Sequence, residues 1–381
     1  MDFTLYQKVK VISGRGSAKL IGSLIQEEGY CLPLLVYEEG LRNTGIIDVV
    51  ENSLTESGIF YHEYNQVKPN PTDMIVEEGA RFCRQMKCDC VIAIGGGSSI
   101  DTAKGINVLR FNEGSILDYE TKEVKPCSGF IAVPTTAGTG SELSQGAIVS
   151  DSKTEQKKLI PTDSFENEYA ILDPLLTQKL PSNQTVFTGL DVFSHAAEAY
   201  TATKANPLCD LICEKVMETV VEYLPRAYKN GNDLFARERM LNAASLGGWS
   251  LFCSSDHLGH AIAHILGAKY HLVHGLACMY GFEAMIQFIS ESVEEKIVQT
   301  GVILGADFSG EESAKEIADK TIVAYQKFCQ EQFQLTKQPL PYTQEELDDM
   351  ANELVQNPFI HMCTKEISFE EAKKILQVAL G

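Results

Sequence analysis

Short apolar runs alternate with helix-period stretches through the first half of the chain. KVKVI (8–12), PLLVYE (33–38), CVIAIG (90–95) and GFIAVP (129–134) read as strands. Between them, SAKLIGSLIQEEG (17–29), IIDVVENSLTESG (46–58), TDMIVEEGARFCRQM (72–86) and SIDTAKGINVL (99–109) carry apolar residues at helical spacing. Strands that are apolar along their whole length, each followed by a helix, predict a parallel sheet covered on both faces. The pattern changes near ILDPLLTQKLP (171–181). Beyond it strand signals nearly vanish, and long helical stretches follow: 186–200, 210–224, 235–252, 258–268, 313–332 and 369–380. The expected organisation is an α/β domain over residues 1–178, built on a parallel sheet, and an all-α domain over residues 179–381.

Composition narrows the partners. A formal net charge of -20, with no basic cluster, repels polyanions, so neither nucleic acid nor an anionic membrane is an expected partner. No apolar run approaches the ~20 residues of a membrane span, and MDFTLYQKVKVI lacks the apolar core of a signal peptide. The 11 cysteines are odd in number, in a chain too long to need staples. Cys88 and Cys90 are too close for a zinc knuckle, and no second pair accompanies Cys209 and Cys213. Buried reduced thiols in a cytoplasmic protein are the expectation.

Two glycine-bearing loops follow buried strands. In CVIAIGGGSSIDTAKG, Gly95, Gly96 and Gly97 lead directly into a helix whose first amides and dipole suit a pyrophosphate. Ser98 and Asp101 have capping-box spacing. In PTTAGTGSE (134–142), Thr135, Thr136, Thr139 and Ser141 offer hydroxyls between glycines. Gly14-Arg15-Gly16 is only a truncated glycine fingerprint, but Glu38 closes the second strand, where an acid can accept from a ribose diol and repel a 2′-phosphate. A tight turn and an exposed strand-end glutamate are the plain alternatives.

Histidine clusters further on. Five of the eight (257, 260, 264, 271 and 274) fall within eighteen residues. His260 and His264 lie one turn apart on one helix, and Asp191 and His195 one turn apart on another. A carboxylate and imidazoles from facing helices make a site for Fe(II), Zn(II) or a similar divalent ion. His62, His257, His271 and His361 have no evident partner and read as ordinary core or surface residues.

The segments PNPT (69–72), GGGSSIDTAK (95–104), PTTAGTGSE (134–142), ILDP (171–174), TGLDVFSHAAEAY (188–200), HAIAHILGA (260–268) and VHG (273–275) together resemble the iron-containing (group III) alcohol dehydrogenase family, nearly end to end. The resemblance implies the family fold, a dinucleotide-binding α/β domain before a helical metal-binding domain, also shared by dehydroquinate synthase. It implies Asp191, His195, His260 and His274 as metal ligands and His264 beside the nicotinamide as the catalytic candidate. For NAD it points to Glu38, Asn70, Gly97, Ser98, Thr135, Thr136, Thr139 and Lys158. Gly96, Asp101 and Ser144 complete the cofactor candidates. Trp249 and Leu251 would line the substrate channel. Glu38 and Ser144 stand where Asp and Thr are common, Trp249 and Leu251 where Met and Phe are. The tail NPFIHMC (357–363) lacks an NPR-type segment. The activity implied is metal-dependent hydride transfer between NAD(H) and a small, primary alcohol or aldehyde, in a homodimer or larger homo-oligomer. A glycerol-type polyol dehydrogenase, a lyase on the same fold, and a non-catalytic NAD- and metal-binding protein remain as alternatives.

Overall fold

The structure is a computed structural model that describes residues 3–381. Its strands are β1 (Lys10–Ser13), β2 (Pro33–Val36), β3 (His62–Tyr64), β4 (Cys90–Gly95), β5 (Cys127–Pro134), β6 (Gly146–Ser150), β7 (Lys157–Pro161) and β8 (Phe165–Leu172). The helices of the first half are α1 (Ile21–Glu27), α2 (Ile46–Glu56), α3 (Asp73–Gln85) and α4 (Gly97–Phe111). Those of the second half are α5 (Ser182–Thr201), α6 (Pro207–Lys229), α7 (Leu234–Ser254), α8 (Leu258–Tyr270) and α9 (His274–Ile289). They continue with α10 (Glu294–Ile303), α11 (Ala314–Phe333), α12 (Gln344–Gln356) and α13 (Phe369–Leu380). Two compact units result, an α/β unit over Tyr6–Leu180 and a helical unit over Pro181–Gly381.

The α/β unit is a six-stranded parallel sheet in the order β1-β8-β5-β4-β2-β3. Successive side chains enter opposite cores. Leu34, Val36, Val91, Ala93, Phe130 and Ala132 meet α3 and α4 on one face. Leu35, Ile92, Ile94, Ile131 and Val133 meet α1 and α2 on the other. Both faces are dry, which is why these strands read as unbroken apolar runs. In the helical unit α5 is central, packed against α6, α7 and α9. It is buried almost continuously from Gly189 to Thr201, so the polar residues in that stretch need partners.

Several elements depart from the sequence reading. The sequence pattern marks no strand between 134 and its change at 171–181, yet β8 occupies Phe165–Leu172, inside the sheet between β1 and β5. Its first half carries Glu166 and Glu168, which mask the apolar pattern. The β6–β7 antiparallel hairpin and the three-residue β3 are further strands that apolar periodicity did not mark. The capping box at Ser98 and Asp101 does not form: the N-cap of α4 is Gly96, with no side-chain cap, and Asp101 instead accepts from the Ile148 amide at 3.2 Å.

Candidate metal centre and dinucleotide loops

Three helices bring one carboxylate and three imidazoles together. Asp191 and His195 share a face of α5, His260 lies in the first turn of α8, and His274 opens α9. The Oδ1 atom of Asp191 is 3.5 Å from Nε2 of His195, 3.5 Å from Nε2 of His260 and 3.3 Å from Nε2 of His274. Asp191, His195 and His260 are buried, whereas the His274 side chain is 37% exposed and leaves the cluster open on that side.

The sequence reading did not single out three further residues. Glu198, one turn beyond His195 on α5, is buried. Its Oε1 lies 2.6 Å from His260 Nδ1, and its Oε2 accepts from the backbone amides of His257 (2.8 Å) and His260 (3.1 Å). It therefore caps the start of α8 and fixes the His260 ring with Nε2 toward Asp191. A Cβ at Gly259 would fall 2.5 Å from Glu198 Oε1, so glycine is what lets the two helices approach here. Asp256 Oδ1 is 3.5 Å from His260 Nδ1. Cys278, one turn into α9 from His274, lies with its sulfur against the cluster. Two of them have a sequence signal in hindsight: Glu198 is a lone acid in the small and apolar run HAAEAY, and Cys278 repeats at i+4 from His274. His257, read as an ordinary core residue, is buried with Nε2 2.9 Å from Thr201 Oγ1.

The electrostatics suit a cation. Burial opposes ionisation of Asp191, yet His195 and His274 hold it well below the usual carboxylate range. Burial likewise opposes a charged His274, but Cys278 and Asp191 raise it to about 10. Burial pushes His195 down to about 4, leaving it neutral with an available lone pair, and its Nδ1 has no hydrogen-bond partner among the described residues. The cluster balances a buried carboxylate by protonating imidazoles, and a divalent ion can take the place of those protons. A hard carboxylate with convergent imidazoles fits Fe(II) or Zn(II).

His264 sits one turn beyond His260, half-buried, its ring stacked on His274 at 5.4 Å and tilted against Phe359 at 5.5 Å. Trp249 and Leu251 lie half-buried on α7. That helix meets α5 at Gly247, whose Cβ would stand 3.8 Å from the His195 Cβ. At about 100° per residue, Leu251 returns to the Gly247 face and Trp249 falls on the far side.

In the α/β unit, Val36 pairs with Ala93, and Gly95 pairs with Pro134. The loops after β2, β4 and β5 therefore leave the same end of the sheet side by side. From β2 the chain first goes out to β3 and then back through β4 to β5, so the reversal of strand order falls between β2 and β4. Open α/β sheets bind ligands at such a switch point. A Cβ on Gly97 would fall 2.8 Å from Thr139 Cγ2, so the first turn of α4 lies directly on the threonine loop. Thr135 donates its amide to Gly95 O at 3.0 Å, and Thr136 stands beside Gly96. Ser98 is half-buried in the first turn of α4. Glu38 is exposed two residues past β2, and Asn70 is exposed in a left-handed conformation (φ 53). Ser144 and Asp101 are anchoring groups: Lys104 Nζ donates to Ser144 O at 2.6 Å and to Gly146 O at 3.0 Å, while Asp101 holds Ile148. Lys158, on β7, pairs with Glu120 at 3.2 Å.

Comparison with known proteins agrees from both ends. Residues 8–174 match the family described as iron-containing alcohol dehydrogenase, and residues 185–380 match the C-terminal domain of the Fe-containing alcohol dehydrogenase family. The NAD-dependent methanol dehydrogenase of Bacillus methanolicus is 34% identical over 83% of this chain and 84% of its own. The choline dehydrogenase of Bacillus subtilis (strain 168) is 36% identical over 79% of this chain and 77% of its own. The crystal structure of a 1,3-propanediol oxidoreductase superposes with a TM-score of 0.91 at 28% identity, covering 100% of both chains. The chain belongs to the iron-containing alcohol dehydrogenase family.

Proposed function

We propose that this oxidoreductase moves a hydride between NAD(H) and a small primary alcohol or its aldehyde, with Asp191, His195, His260 and His274 holding a divalent metal, Fe(II) or Zn(II). The observation that carries the reading is the convergence of three Nε2 atoms within 3.5 Å of one buried carboxylate oxygen. A divalent ion held there supplies Lewis acidity that lowers the pKa of a hydroxyl by several units. Glu198 keeps His260 in one tautomer, and the open side at His274 leaves room for a substrate oxygen. His264, stacked on His274, orients the nicotinamide or relays the substrate proton. Gly96, Gly97 and Ser98 at the start of α4 receive the pyrophosphate, with Thr135, Thr136 and Thr139 beside it and Asp101 and Ser144 anchoring the loop. Glu38 accepts from the adenosine ribose, and Asn70 and Lys158 complete the cofactor set.

Methanol, choline and 1,3-propanediol, the substrates named for relatives, all carry a primary hydroxyl, which supports that substrate class. The test follows NADH absorbance with a panel of primary and secondary alcohols and their carbonyl products, after chelation and reloading with Fe(II) or Zn(II). Turnover of primary alcohols that is lost with the metal, and lost in His260→Ala with the fold intact, is expected. Full activity in metal-free protein, or preference for secondary alcohols, would overturn the reading.

A further inference from the structure

The centre holds one donor more than the proposed ligand set uses. Cys278 Sγ lies 3.6 Å from Asp191 Oδ1, 3.8 Å from His260 Nε2 and 3.8 Å from His274 Nε2. The side chain is 1% exposed, and the four donor atoms of Asp191, His260, His274 and Cys278 all lie within 4.8 Å of one another. A tetrahedral ion with Zn–N and Zn–O bonds near ~2.1 Å and a Zn–S bond near ~2.3 Å separates its donors by roughly 3.4–3.6 Å. Five of the six edges of this tetrahedron measure 3.3, 3.5, 3.6, 3.8 and 3.8 Å, so each is within a few tenths of an ångström of that geometry.

Resting on the metal reading above, we propose that the Cys278 thiolate is itself a metal ligand, a fifth protein donor beside Asp191, His195, His260 and His274. The chain builds it by repetition: His274 and Cys278 are four apart on α9, just as Asp191 and His195 are on α5, so each helix presents two donors one turn apart. The thiol gives up its proton to solvent on binding the cation, as coordinating thiols do. Asp191 and Cys278 together bring two negative charges to balance a divalent ion, and His195 stays at the carboxylate as a further nitrogen donor. A soft sulfur ligand tilts the site toward Zn(II) and away from Mn(II) or Mg(II).

Cobalt(II) tests this without relying on turnover. Metal-stripped full-length protein is titrated with Co(II), whose visible ligand-field bands report occupancy. A near-ultraviolet sulfur-to-cobalt charge-transfer band reports the thiolate. Both are expected in the wild type at one equivalent. Cys278→Ser should keep the ligand-field bands and lose the charge-transfer band, and its Zn(II) affinity, read by chelator competition, should fall at least about tenfold. X-ray absorption of the Zn(II)-loaded wild type checks the same point without a variant and should show one sulfur at ~2.3 Å. Ligand-field bands without sulfur in either measurement, or a charge-transfer band that survives in Cys278→Ser, would overturn the role of Cys278 and leave the Asp/His centre standing. Failure of the wild type to bind Co(II) at all would overturn the metal reading with it.

Discussion

Oε1 of Glu198 lies 2.6 Å from Nδ1 of His260, and both side chains are buried. The same carboxylate takes two backbone amides at the start of α8. Burial penalises its charge, but His260, His257 and these amides hold it at about 2, so it is an anion throughout the working pH range. Because Nδ1–H donates to this carboxylate and keeps its proton there, the lone pair that His260 can offer a cation is on Nε2, on the side of Asp191.

Glu198→Gln keeps the shape but can present an amide N–H to Nδ1, favouring the wrong tautomer. Metal affinity is expected to fall by about 10–100-fold, the range for orienting partners of metal-bound histidines. Chelator competition on the folded variant measures it. An unchanged affinity would reduce Glu198 to a cap of α8.

Glu38 stands exposed two residues beyond β2, beside the switch point. A carboxylate there favours a ribose diol and repels a 2′-phosphate. Wild-type protein should prefer NAD over NADP in kcat/KM, and Glu38→Gly should narrow that ratio by roughly an order of magnitude, mainly through KM for NADP. A wild-type preference for NADP would remove Glu38 from the ribose.

The parts legible in the sequence were those where one physical requirement dominates. β4 is dry on both faces, so CVIAIG could only read as a buried strand. Asp191 with His195 was visible because two potential ligands one helical turn apart inside an apolar helix demand an explanation. Glu198 and Cys278 were hidden for the opposite reason. One carboxylate and one thiol each have many structural uses, and only the packing of α5, α8 and α9 shows where they point. β8 was missed because Glu168 breaks its apolar pattern while being buried all the same. The assumption that acids mark the surface fails where a buried lysine lies nearby.

Leu251 and Trp249 separate two accounts of substrate size. Leu251 shares the α7 face of Gly247, which meets the His195 Cβ at 3.8 Å, whereas Trp249 lies about half a turn away. Leu251→Ala should raise kcat/KM for longer primary alcohols relative to short ones by tens-fold, since an apolar contact contributes ~1–3 kcal/mol of discrimination. Trp249→Ala should lower the thermal midpoint and leave the chain-length profile in place. A profile that shifts only in Trp249→Ala would place the indole in the channel and Leu251 in the core.

Glu168 sets a pH dependence of stability. It is 7% exposed on β8, between β1 and β5, and burial raises its carboxyl from 4.5 to about 7, against the opposing pull of Lys104. The folded state therefore binds a proton that the unfolded chain has already released between pH 4.5 and about 7. Stability falls with rising pH wherever the native state holds more protons than the unfolded state. Across this window the contribution lost is about 3 kcal/mol at ~1.4 kcal/mol per unit. Glu168→Gln has nothing to lose over that range, and it leaves Lys104 its carbonyl acceptors at Ser144 and Gly146. The substitution also shifts the variant's stability through its own contacts, so the informative quantity is the slope. The thermal midpoint of Glu168→Gln, measured by calorimetry from pH 5 to pH 8, should rise relative to wild type as pH increases and level off above about 7. Parallel midpoint curves for the two proteins would mean that Lys104 keeps Glu168 ionised in the folded state down to acid pH.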